Sequence, residues 1–81
     1  MTPIDHRAER DRSYSVARNI DRGTSVVLRR DVVHHAPHRV APEGTAVTVD
    51  SVVNAGDRGQ EIWFTHDGGR FCVSAGAVNP A

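Results

Sequence analysis

Imidazole, thiol and guanidinium groups are the reactive inventory of this 81-residue chain: five His, one Cys and ten Arg, with no Lys. His34, His35, His38, His66 and Cys72 carry the nitrogen and sulfur donors that zinc gathers four at a time, from ligand pairs at short fixed spacing. The spacing here does not make such a site. Neighbouring residues of an extended segment face opposite ways, so His34 and His35 cannot both turn to one ion. Pro37 interrupts any helix that would bring His34 and His38 together. No metal and no cofactor is expected, and His34 and His35 are read as contact residues of a loop whose charge responds to pH.

Covalent chemistry has no better support. Cys72 would need an adjacent cation and a base to act as a nucleophile, and no His is placed to serve it. His66-Asp67 has the look of a base and its orienter, with Thr65 or Ser74 as the hydroxyl. A tight turn, however, splays such neighbours apart in solvent. Gly68-Gly69 lacks the strand-to-helix setting of a phosphate loop. The chain is expected not to be an enzyme.

Ten acids balance the ten Arg, which removes the charge excess of a typical nucleic-acid or anionic-membrane partner. The balance is uneven along the chain: residues 1–40 hold eight Arg and five acids, residues 41–81 two Arg and five acids. Arg29 and Arg30, with the Arg-rich arm before them, support an alternative reading as a nucleic-acid-binding accessory protein. No apolar run is long enough to span a membrane, and the charged first twenty residues lack a secretory signal. One cysteine excludes an internal disulfide and suits a reducing compartment, so a cytoplasmic location is expected.

The elements that position these groups follow from Gln60 to Ser74. Asp67-Gly68 reads as a two-residue hairpin turn, which pairs His66 with Gly69, Thr65 with Arg70, Phe64 with Phe71, Trp63 with Cys72 and Ile62 with Val73. Ile62, Phe64, Phe71 and Val73 then share the inner face. Trp63 points outward, flanked by Thr65, Arg70 and Cys72. The first twenty residues offer one possible cover for it, through Ile4, Tyr14, Val16 and Ile20.

Upstream, Ser25–Arg29 is a first strand, Arg30–Pro42 a long connection, and Thr45–Val53 a second strand with a bulge or bend near Asp50-Ser51, where Val52-Val53 break the alternation. Asn54–Gly59 is a polar loop, and Ala75-Gly76-Ala77 a turn into a short strand at Val78. Residues 1–22 form an N-terminal arm. Asp5–Asp11 is compatible with a short helix capped by Thr2-Pro3, and Ser13–Ile20 equally with an extra strand.

This order resembles an SH3-like barrel: a strand, a long excursion, a three-strand meander, a one-turn helix and a last short strand. The likeness rests on Pro42-Glu43-Gly44-Thr45-Ala46-Val47 before the second strand, on Ile62-Trp63-Phe64 in the middle strand, and on Val73-Ser74-Ala75-Gly76-Ala77-Val78 at the close. It implies an all-β domain over residues 23–81, a small five-stranded SH3-like barrel, similar to small actinobacterial and phage proteins. The peptide-binding SH3 signature is replaced by Arg29-Arg30-Asp31-Val32-Val33-His34-His35, so no binding residues carry over. The function expected is that of a small non-enzymatic protein-interaction module or phage-type accessory regulator. Trp63 would be its anchor and Arg70 and Thr65 its rim, with a protein partner or self-association at that face.

Overall fold

A carboxylate starts the helix that opens the fold. The computed structural model describes residues 4–35 and 38–81, and within them Asp5 caps α1 (His6–Ala17) by accepting the Ala8 amide at 3.0 Å, which satisfies one of the unpaired donors of a helix start. The expected Thr2-Pro3 cap lies outside the described residues. The helix continues through Tyr14 and Val16, so the extra strand allowed for Ser13–Ile20 is not formed. Of its twelve residues only Ser13 and Val16 are buried. Ile20, just beyond it, is also in the core.

The strands follow as β1 (Ser25–Leu28), β2 (Val32–His35), β3 (His38–Ala41), β4 (Ala46–Asn54), β5 (Gln60–His66), β6 (Gly69–Ser74) and β7 (Val78–Pro80), with 3-10 turns at Gly56–Arg58 and Ala75–Ala77. Five of them make one antiparallel sheet in the order β6-β5-β4-β1-β7, and β2 and β3 make a separate hairpin. The fold is thus dominated by β-structure with five strands in its main sheet. The expected closed barrel is not formed, because β6 and β7, which would have to pair, are the sheet's two edges. β7 is only three residues long and ends on Pro80, which has no N–H to give to a ladder.

The connection expected through residues 30–42 is instead partly ordered as the β2–β3 hairpin. Val32 and Ala41 are cross-strand partners and buried, whereas the next pair, Val33 and Val40, is 41% and 40% exposed. An apolar pair facing water, and an exposed histidine set edge-on to Phe71 on the side of Val32, conceal the period-2 pattern from which strands are read.

The β5–β6 hairpin has the expected register throughout, from His66 opposite Gly69 to Ile62 opposite Val73. Asp67 and Gly68 both have positive φ, 51° and 75°, the mirror-image turn that matches strand twist. Phe64 stacks on Phe71 with centroids 5.4 Å apart at the centre of a core that includes Val26, Leu28, Val49, Ile62 and Val78. The bulge expected near Asp50-Ser51 is present: Val49 opposes Phe64, and Ser51 opposes Trp63.

α1 lies across the 3-10 turn at Ala75–Ala77 and the start of β5, held by polar contacts. Arg30 grips Glu9 at 2.6 and 3.0 Å. Arg12 donates to the carbonyls of Gly76 at 2.9 Å and Val78 at 2.7 Å. Buried Ser13 accepts the Gln60 amide at 2.9 Å.

Candidate functional site

Trp63 lies in the middle of the outer face of β4–β5–β6, between Cys72 on one neighbouring strand and Ser51 on the other. Its orientation follows from the turn register. Its exposure differs from expectation, since the ring is half-buried rather than open. Arg70, one pair along and across the strand, sets its guanidinium carbon 5.0 Å from the ring centroid. Such a cation–π contact is worth about 0.5–1 kcal/mol at an exposed site. Arg70 itself stays exposed, so its N–H donors can take a carboxylate or phosphate.

The helical arm borders this face at its Glu61–Ser74 end, where Ser74 Oγ donates to the Glu9 carbonyl at 3.3 Å and His6, Arg7 and Arg10 line a cleft with Glu61 and Cys72. Tyr14 and Ala17 of α1 line a depression with Val52 and Gln60, and Val52 is the cross-strand partner of buried Ile62. The C-terminal part of the helix thus meets the inner side of the sheet, and its N-terminal part borders the outer one.

Two charged residues of the outer face were not singled out in the sequence. The bulge lets Asp50 reach it beside Thr65, whose Oγ1 donates to Asp50 Oδ2 at 3.3 Å. Glu61 lies one outer position from Trp63 along β5, 3.6 Å from Arg58, and accepts the Cys72 thiol at 3.7 Å. The bulge signal at residues 50 and 51 was sufficient to find Asp50. Glu61 required only the same parity that placed Trp63.

Cys72 is chemically quiet as a result. Burial, then the charge and hydrogen bond of Glu61, push its pKa up from 9.0 to about 11, with Arg58 opposing. Two pH units mean about 100-fold less thiolate below pH 9. Higher intrinsic nucleophilicity at higher pKa recovers most of one decade, so iodoacetamide at pH 8 is expected to alkylate Cys72 roughly tenfold more slowly than a free cysteine. Glu61→Gln should recover part of that rate. The thiol's contribution to stability is fully present below pH 9.0 and is lost as pH rises through about 11, because the unfolded chain gives up the proton first.

The remaining expected contact residues lie elsewhere. Arg30 is engaged by Glu9, and Arg29 donates to the Gly76 carbonyl at 3.3 Å. Both line a cleft of about 490 Å3 beside α1, with Ile4, Ala8 and Glu43. His34 meets Phe71 edge-on at 6.3 Å. The side chain of His35 lies outside the described residues. The structure thus brings Trp63, Arg70 and Thr65 together and places Arg29, Arg30 and His34 in other contacts.

Among the described residues no group of three or more His, Cys, Asp or Glu could hold a metal ion, and no helix is long and apolar enough to cross a membrane. Comparison with protein-family models, with curated proteins and with solved structures gives no match to this chain.

Proposed function

We propose that this chain is a small non-enzymatic protein-interaction module on an SH3-like scaffold, binding through the outer face of β4–β5–β6. One observation carries the reading: a lone tryptophan, half-buried under an exposed arginine, on a sheet face that α1 borders at one end. Tryptophan and arginine are the residue types most enriched where interfaces concentrate their energy. The strand order supports the SH3-like comparison, with β1 between β4 and β7 and a 3-10 turn before the last strand. The nucleic-acid alternative draws less support, because Arg12, Arg29 and Arg30 are engaged with Glu9 and with carbonyls of the last turn and strand.

The test is affinity capture with wild-type protein and Trp63→Ala, read by quantitative mass spectrometry. Truncating an anchor of about 2 kcal/mol lowers affinity roughly 30-fold, so the specific partner should disappear from the variant's eluate and persist with Val40→Ala. Equal recovery of every protein by wild type and Trp63→Ala would discard this face as the binding surface.

A further inference from the structure

The outer face of β4–β5–β6 carries its charges in an order that suits a second copy of itself. Arg70 on β6 pairs with Thr65 on β5, and the carboxylate of Asp50, from the bulge of β4, reaches Thr65 from the other side. The next row is Cys72, Trp63 and Ser51. The cation thus flanks β5 on one side, and on the other the Asp50 carboxylate, whose backbone lies in the bulge beside the Trp63 row, is drawn toward the level of Arg70 by its bond to Thr65.

We propose, resting on the reading of Trp63 as the contact residue, that the occupant of this face is another molecule of the same chain. The pairing is face to face, about a two-fold axis parallel to β5. That operation exchanges the two flanks. Each Arg70 then faces Asp50 of the partner subunit, and Trp63 faces Trp63 of the partner subunit, as an isologous contact requires. Two ion pairs form, one on each side of the two central indoles, each Arg70 swinging from its place over the Trp63 ring to reach the partner's carboxylate. The axis also brings Glu61 opposite its own equivalent. Its side chain is only 18% exposed and its carboxylate is drawn toward Arg58 and Cys72, which limits the repulsion.

The face is small. Three strands ~4.8 Å apart and three rows ~6.8 Å apart span roughly 300 Å2 per copy. A total near 600 Å2 belongs to weak association, so the dimer is expected to form between micromolar and millimolar concentration.

Sedimentation equilibrium over that range, with emission from the chain's one tryptophan as a second readout, tests the proposal. Wild type should rise from one chain mass toward two, with a concentration-dependent shift in indole emission. Arg70→Asp and Asp50→Arg each place like charges opposite one another twice, and each should weaken dimerisation at least tenfold. The double variant Asp50→Arg/Arg70→Asp restores both ion pairs in reversed sense, keeps the net charge, and should dimerise again. Far-UV circular dichroism confirms that each variant keeps its fold. Monomeric wild type at millimolar concentration, or a double variant no better than the singles, overturns the proposal. Either result leaves the broader reading of Trp63 to its own capture experiment, where a different protein would be the occupant.

Discussion

Replacing Gly76 with alanine is expected to lift α1 off the sheet. A Cβ at this position would overlap the backbone of Glu9, its carbonyl oxygen and carbonyl carbon included. The obstacle is main chain, so no rotamer change relieves it. Gly76 does not have a positive φ, and alanine would be comfortable there but for the helix. Overpacking costs about 1–3 kcal/mol where side chains can adjust. Here the helix itself must move, carrying with it the Arg12 bonds to Gly76 and Val78 and the Ser74 bond to Glu9. A loss of at least ~3 kcal/mol is expected, lowering Tm by roughly 12–24 °C in a domain of this size. Amides of residues 9–17 should lose hydrogen-exchange protection before those of β4 and β5. Gly23→Ala is the control: φ there is 92° but nothing lies within 4 Å, so only a backbone cost of about 1–2 kcal/mol applies. Equal melting temperatures for Gly76→Ala and wild type would contradict the close seating of α1.

Phe71→Ala should do comparable damage from the other side of the fold. Phe71 is 2% exposed, stacks on Phe64, and receives His34 and His66 on its ring at 6.3 Å each. Truncating a buried phenylalanine costs about 3–5 kcal/mol, part transfer and part cavity. That is a large share of the ~5–15 kcal/mol that holds a small domain together. Because His34 belongs to β2, the substitution also loosens the β2–β3 hairpin. Urea titration should show the fall in midpoint, and hydrogen exchange should show β2 and β3 amides opening first. Val40→Ala, on the exposed side of the same hairpin, should stay within about 0.5 kcal/mol of wild type. A Phe71→Ala midpoint equal to that of Val40→Ala would mean that the hairpin does not depend on this ring.

The difference between these two regions explains what could be read from residues alone. The β5–β6 hairpin was legible because Asp67-Gly68 specifies a turn with one register, and that register assigns Ile62, Phe64, Phe71 and Val73 to the core and Trp63 to the outside. The bulge was legible because Val52-Val53 break parity. α1 was only half legible. It docks through arginine, serine and glycine rather than an apolar stripe, so Arg12, Ser13 and Arg30 looked like solvated charge and polar surface. β2–β3 was not legible because Val33 faces solvent while His34 faces Phe71. At the candidate site the position of Trp63 followed from the sequence, but its half-burial did not. That depends on Arg70 folding back over the ring, and strand parity says which face a side chain shares, not where its far end comes to rest.

The irregularity in β4 has a consequence for how this surface could change by descent. Counting back from Ser51 opposite Trp63 and Val49 opposite Phe64, Asp50 is the supernumerary residue. Loss of that one codon, in frame, would leave the partners on both sides of it unchanged and let the ribbon run straight. Curvature and the carboxylate would vanish in a single step. A lineage could thus trade a self-matching face for a flat, less acidic one without redesigning its hydrophobic centre.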